Sequence, residues 1–361
     1  MKKRRTIRRI IIILIILLIA VAGYVAYVFL SYERLPDRQY IETQTTGAYS
    51  YFADDEAINA GRAYNFVTYN IGFGAYTKDY SFFMDGGKYS WAQSEEGLLA
   101  NICEISDVIN KTGADFVLLQ EVDLDGTRTY HINELELLNE FIKGYYYAYS
   151  VNYDSKFMFV PPWQPHGANK SCLVTYSKGA IAETVRKSLP IDEGIGKYFD
   201  YDRCYAVSKI PLANEKMLCI YNVHLSAYSD DKDMKNAQLE MLFNDMETEY
   251  KMGNYVVCGG DFNQNMKKDA EESEYSWGGP FPRDMLPKGF RMAIDEAVPS
   301  NVEHDSCRNA NEPYNEETTF TVTTDGFIVS DNIRVNFYTN CNGGYEFSDH
   351  DPVMMQILLK E

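Results

Sequence analysis

The sequence contains no G-x-S-x-G nucleophile signature, no P-loop and no glycine-rich dinucleotide fingerprint. These absences remove the usual settings for serine acyl transfer, for P-loop nucleotide hydrolysis and for nicotinamide chemistry. Cysteine is scarce and odd in number, seven residues without C-x-x-C spacing, which excludes a zinc ribbon and a dense disulfide framework. Cys172, Cys204, Cys219 and Cys258 stand in apolar strand-like runs and Cys103 in a helical pattern, as small buried hydrophobes do. Only Cys307 and Cys341, in loop-like context, are placed to pair, and a disulfide between them is the expectation. Positive charge is also short. Six of the 34 basic residues fall in the first nine positions, which leaves 28 against 52 acidic ones and a net charge of −24 on the remainder. Such a surface repels polyanions unless a basic patch or a bound divalent cation offsets it.

What is present begins with a long apolar run. Ile10 to Leu30 carries no charge over 21 residues, a length that as a helix matches the hydrocarbon core of a bilayer, about 30 Å. The basic cluster over 1–9 and the acidic residues Glu33, Asp37 and Glu42 beyond the run place the amino terminus in the cytoplasm and the remainder outside, at the cell membrane in a single pass. Ala20-Val21-Ala22 resembles a signal-peptide cleavage site, but the apolar run continues well past it, which favours an uncleaved anchor. Residues 31–61 are polar, without sustained periodicity, and read as a tether.

From residue 62 to 361 strands alternate with helices and long loops, with no repeat period and no Pro/Gly/Ser linker, so one domain is expected. Helical stripes appear over Leu98–Ile109, Asn133–Ile142 and Asp233–Tyr250. Strands are expected at Tyr64–Tyr69, Asp115–Gln120, Tyr145–Tyr153, Ser171–Tyr176, Tyr205–Ile210, Met217–His224, Tyr255–Cys258, Thr318–Thr323, Phe327–Val329, Val335–Tyr338 and Val353–Leu359.

The strands end in a characteristic way. Tyr255–Cys258 runs into Gly259-Gly260-Asp261-Phe262-Asn263, where glycines allow a tight turn and the polar residues meet a cleft. Other strand ends supply Asn70, Glu121, His224, Asp325, Asp349 and His350. Carboxylates, carboxamides and imidazoles without a protein nucleophile suit a divalent cation such as Mg²⁺, with Mn²⁺ as the alternative, assisting attack by water.

The ordered series TYNIG, LLQEVD, NVHLS, GGDFNQ, DGFIVS and SDHDPV resembles the endonuclease/exonuclease/phosphatase superfamily over about Tyr64 to Leu359. The resemblance implies an α+β fold, a two-layered β-sandwich flanked by helices in four α/β/β/α layers, preceded here by the transmembrane helix. It implies a hydrolase of phosphoric esters in which Glu121 is the main Mg²⁺ ligand, Asn70 touches metal or phosphate, and Asp349 lies near the metal. By the same resemblance His224 holds the phosphate or protonates the leaving group, Asp261 orients or deprotonates water, and Asn263 donates to phosphate. Asp325 and His350 form the carboxylate–imidazole pair. Arg203 stands where several members have a phosphate-facing arginine, and a plain ion pair on a sheet rim accounts for it equally well. His166, Asn169 and Lys170 are expected in a surface loop. Three functions stay in view: a nuclease-like phosphodiesterase, a phosphodiesterase or phosphatase acting on a sphingomyelin-like headgroup or a small phosphoester, and a catalytically silent extracytoplasmic binding domain. No feature points to a protein partner.

Overall fold

Alternation of side chains across the pleat decides both faces of the central strands. In β3 (Ala63–Asn70) and β4 (Phe116–Gly126), Phe66, Phe116 and Leu118 turn into one buried cluster, while Val67, Tyr69, Val117 and Leu119 turn into a second. A strand buried on both faces this way must lie inside a layered structure, with a sheet on one side and helices on the other.

The computed structural model describes residues 2–47, 58–191, 194, 202–227, 232–273 and 275–361. The chain divides into two units, Met1–Leu35 and Pro36–Glu361. The first is built on helix α1 (Lys2–Ser31), which is long and apolar enough to cross a membrane and has none of its apolar face buried.

The second unit holds two seven-stranded sheets. One runs, in spatial order, β1 (Arg38–Ile41), β7 (Glu183–Ser188), β8 (Cys204–Pro211), β9 (Met217–His224), β10 (Tyr255–Asp261), β14 (Asp325–Ser330) and β11 (Phe290–Met292). The other runs β15 (Ile333–Asn340), β16 (Val353–Leu359), β3, β4, β6 (Gly167–Ser177), β5 (Tyr146–Met158) and β2 (Gln44–Thr45). A two-stranded ribbon, β12 (Cys307–Arg308) and β13 (Thr321–Val322), lies apart. Both sheets are mixed: β9 and β10 are parallel, as are β3 and β4, and their neighbours are antiparallel.

Between the sheets, Phe66 stacks on Phe116 with ring centres 4.5 Å apart and meets Phe327 edge-on. Helices α2 (Glu95–Thr112) and α3 (Glu134–Phe141) cover the β3–β4 sheet, and α4 (Lys232–Lys251) covers the other. The fold is therefore the expected four-layered sandwich. Helix α2 starts where Ser94 accepts the Gly97 N–H and stops where Gly113 turns left-handed, leaving Leu98, Ile102, Ile105 and Ile109 on its buried face. The sandwich is also stitched by polar groups. Gln120 donates to Thr68 and to Asn222 Oδ1 (2.8 Å), and Asn222 donates to the Val174 carbonyl (2.9 Å), so one buried ladder joins the two sheets. A fully paired polar ladder admits a single alignment of the layers, because a slip would strand buried donors.

Three expectations need correction. The stretch 31–61 is not a tether throughout: Arg38–Ile41 pairs with β7 and Gln44–Thr45 with β5, and the buried Arg186 donates to the Pro36 carbonyl. Short polar edge strands lack the apolar alternation that betrays a strand in sequence; residues 48–57 of that stretch lie outside the described ones. Cys307 and Cys341 are both free thiols. Cys307 Sγ lies 3.4 Å from His350 Nε2, whereas the Cys341 backbone is held by the Pro352 carbonyl, so neither sulfur is committed to the other. The strand expected over Thr318–Thr323 shrinks to two residues, and the polar strand β7 was not anticipated.

Candidate active site

Pairing register alone brings much of the site together. Asp261 at the end of β10 lies beside His224 of β9 on one side and Asp325 of β14 on the other, so three adjacent strands deliver a row of His, Asp and Asp. On the facing sheet Asn70 pairs with Gln120, and the next residue, Glu121, breaks the β4–β6 register with a positive φ of 55°. An extra residue in a strand re-aims a side chain. Two glycines make the close approach possible. A Cβ on Gly259 would stand 2.5 Å from the Phe327 ring, and one on Gly260, whose φ is +145°, would meet the Val223 carbonyl oxygen at 2.0 Å.

The Asn70 amide is the hub. Its Nδ2 lies 3.2 Å from Glu121 Oε1, 3.1 Å from Asp261 Oδ2 and 3.4 Å from His350 Nε2, and its own oxygen accepts the Gly72 N–H. His350 Nδ1 donates to Asp325 Oδ2 at 2.7 Å, and that oxygen also receives Ser306 Oγ at 2.7 Å. The Asn263 backbone N–H donates to Asp261 Oδ1 (2.9 Å), while the Asn263 side chain donates to the Leu225 carbonyl. His224 Nε2 is 3.7 Å from Asp261 and 3.9 Å from Glu121. Glu121, Arg203, His224, Asp261, Asn263, Asp349 and His350 all line one cleft.

Burial and neighbouring charge divide the titratable groups. Burial, then the Asp325 carboxylate, lifts Asp261 to about 7 against the pull of His350. Burial likewise lifts Asp349 to about 6, with His350 opposing and Glu121 adding to the rise. For His350 burial opposes the charge, but Asp325, with Cys307 and Asp349, outweighs it and holds the ring well above the ordinary histidine range. His224 moves the other way: burial, and then the charges of Arg203 and His350, hold it neutral. Its approaches to Asp261 and Glu121 are therefore contacts of an uncharged ring, and its Nδ1 has no hydrogen-bond partner among the described residues.

All the anticipated residues meet in this cleft or directly behind it. Asp325 sits behind His350, fully buried, and Asn70 lies under the floor. Asp261, Asp325 and His350 offer ligand atoms within 4.8 Å of one another, the one such group among the described residues. The 2.7 Å bond between Asp325 and His350 describes them better as a hydrogen-bonded pair than as two metal ligands. Glu121 and Asp349, hard oxygen donors in a cleft whose lining cations are Arg203, Arg308 and the protonated His350, suit a divalent ion. The expected surface loop is another matter: His166 and Asn169 are buried, and only Lys170 reaches solvent, beside Asp154. Sequence reasoning missed Cys307 and Arg308 as cleft residues. They come from a two-residue strand without pattern, and no local signal marks them.

A family model described as the endonuclease/exonuclease/phosphatase family matches residues 67–350. The chain belongs to the endonuclease/exonuclease/phosphatase family. A search of the curated proteins returned no match. Among solved structures, an endonuclease/exonuclease/phosphatase from Beutenbergia cavernae is 15% identical with a TM-score of 0.57, over 83% of this chain and 72% of that one. A second from Bacteroides vulgatus is 14% identical with a TM-score of 0.54, over 83% of this chain and all of that one. Truncated TDP2 from Caenorhabditis elegans is 15% identical with a TM-score of 0.50, over 83% and 98%. At these identities the likeness to the solved structures is one of fold alone; the endonuclease/exonuclease/phosphatase family, shown by its family model, is one of phosphoric ester hydrolases and names no substrate for this chain.

Proposed function

We propose that the protein is a membrane-anchored, Mg²⁺-dependent hydrolase of phosphodiester bonds, with nucleic acid as its foremost substrate and its catalytic unit outside the cell membrane. The observation that carries this reading is the Asn70 amide meeting Glu121, Asp261 and His350 at one point in the cleft. Glu121, with Asp349, would hold the cation, and Asn70, whose amide N–H donates to Glu121 while its oxygen accepts the Gly72 N–H, would orient that carboxylate. When bound it neutralises charge on the phosphoryl oxygens. Asp261 takes a proton from the attacking water: a carboxyl lifted to about 7 is a base matched to neutral pH, and its oxygens are oriented by the Asn263 N–H and the Asn70 amide. His350, kept protonated and fixed in orientation by Asp325, clamps a phosphoryl oxygen. His224 acts as a neutral donor toward the phosphate or the leaving oxygen, and Asn263 and Arg203 complete the anion contacts.

The full chain in detergent micelles, assayed on DNA, RNA, sphingomyelin and inositol phosphates, should turn over a phosphodiester with Mg²⁺ and lose that turnover to a chelator and to Glu121→Gln. Turnover of none would leave the silent binding domain standing. The net charge of −24 beyond residue 9 favours a second reading, a phospholipid headgroup, because polyanion binding leans on lysine and arginine. Raising salt separates the two: affinity for nucleic acid should fall steeply, whereas headgroup cleavage should hardly respond.

A further inference from the structure

Next to the catalytic cleft lies a second pocket of about 80 Å³, which shares Glu121, Arg203 and His224 with it and continues between the rings of Phe73, Phe82 and Tyr153. It carries three neutral polar groups that the mechanism above does not use. Asn152 sits at a bulge of β5, between the Val151 and Tyr153 pairings with β6. It is 2% exposed and its amide makes no hydrogen bond among the described residues. Ser171, also 2% exposed, has a hydroxyl without a partner among the described residues. His166 Nδ1 lies 2.9 Å from the Ser90 carbonyl, which can only accept, so Nδ1 carries the proton and Nε2 is left as a bare acceptor. Burial, helped by the charge of Arg128, keeps this ring neutral by lowering its pKa to about 3. The Arg128 guanidinium itself is spent on a two-pronged bond to Asp123 and lies 3.7 Å over the Phe73 ring.

Resting on the hydrolase reading, we propose that this pocket selects an uncharged, hydroxyl-bearing alcohol on the scissile phosphate, with Asn152, Ser171 and His166 as specificity-determining residues. A hydroxyl can donate to His166 Nε2 and accept from the Asn152 amide or the Ser171 hydroxyl, satisfying groups that are otherwise buried and idle. A quaternary ammonium can do neither. It has no proton to donate and no lone pair, and a site built to hydrogen-bond a hydroxyl discriminates strongly against a ligand without one. A bulge that turns a carboxamide into a pocket beside a reaction centre is a local sacrifice of strand pairing, and ligand contact explains it where folding does not.

The test uses the full chain in detergent micelles and saturation-transfer NMR with free myo-inositol, ribose, glycerol and choline as probes. At least one hydroxylated probe should give a signal about fivefold or more above that of choline, and the arms identify whether a cyclic polyol, a nucleoside sugar or a glyceryl group is preferred. Asn152→Ala and Ser171→Ala should each abolish that signal while leaving Tm unchanged or higher, because neither side chain has a hydrogen bond to lose among the described residues. Binding of choline equal to the polyols, absence of binding by all four, or polyol binding untouched in both variants would overturn the proposal. A chain that binds polyols in this pattern yet cleaves no phosphodiester would cost the hydrolase reading and keep the pocket.

Discussion

His350 shows how much a single contact decides. Its ring is buried, a setting that alone would hold it neutral, and the Asp325 carboxylate at 2.7 Å reverses that. His224, a few ångströms from the same Asp261, lacks such a partner and stays neutral. Loss of the partner should therefore act as loss of the ring: Asp325→Asn and His350→Ala are each expected to lower kcat by about 10²–10⁴, and the double variant by little more than either single one. Steady-state rates of the three variants would check this, and additive losses would show that the two residues act separately. A second residue, away from the chemistry, gives a stability test. Glu134 at the start of α3 is fully buried, accepts the Asp123 N–H at 2.8 Å, and has its other oxygen unpartnered among the described residues. Burial first, then Asp123, raises its carboxyl well above the ordinary range. A raised acid stabilises fully below the unfolded-state value of about 4.3 and loses that contribution as pH climbs toward the folded value, because the unfolded chain releases the proton more easily. Glu134→Gln should thus match the wild type at pH 4 and melt about 2 °C or more higher at pH 8. A lower Tm at pH 8 would mean that Glu134 is ionised in the fold.

Among the elements, β10 carries the most. It is the strand shared by the β9 and β14 pairings, and it supplies Asp261 to the row formed with His224 and Asp325. Its glycines set the spacing. Gly260→Ala places a methyl against the Val223 carbonyl in a backbone conformation closed to other residues, and a loss of at least about 3 kcal/mol is expected from the strain and the displaced strand. Urea unfolding would measure it; a variant as stable as the wild type would show that the β9–β10 edge is free to shift. The Gln120–Asn222 ladder makes the same point from beneath, since Gln120 stands one residue before Glu121 and Asn222 two residues before His224, and the bond between them ties the two sheets together there.

For the molecule as a whole, the boundary between the unit of the apolar helix α1 and the sandwich unit falls at Pro36. Arg186, fully buried, donates to the carbonyls of Pro36, Val151 and Asp202, so the segment after α1 is clasped by the sandwich. A chain beginning at Pro36 should fold like the parent unit, whereas one beginning at residue 62 removes β1 and β2, leaves Arg186 a buried donor short, and should melt about 5 °C or more lower. Thermal unfolding of the two chains compares them directly, and equal Tm values would return 36–61 to the role of a loose tether.

How far the sequence reached follows from where its signals come from. Periodicity reports burial along one strand or helix, so the buried strands β3, β9 and β16 and helices α2 and α4 were legible nearly to their ends. Polar edge strands such as β1 and β7 bury too little to leave that trace. Asn70, Glu121, His224, Asp261, Asp325 and His350 were legible as polar ends of apolar strands. Their mutual distances were not, because those depend on pairing between segments up to 280 residues apart. Charge states likewise belong to the assembled cleft. Two histidines of one chemical type are driven in opposite directions solely by what the tertiary structure sets beside them, and the residues that line the neighbouring pocket, Asn152 above all, acquire their meaning from a bulge that no local pattern announces.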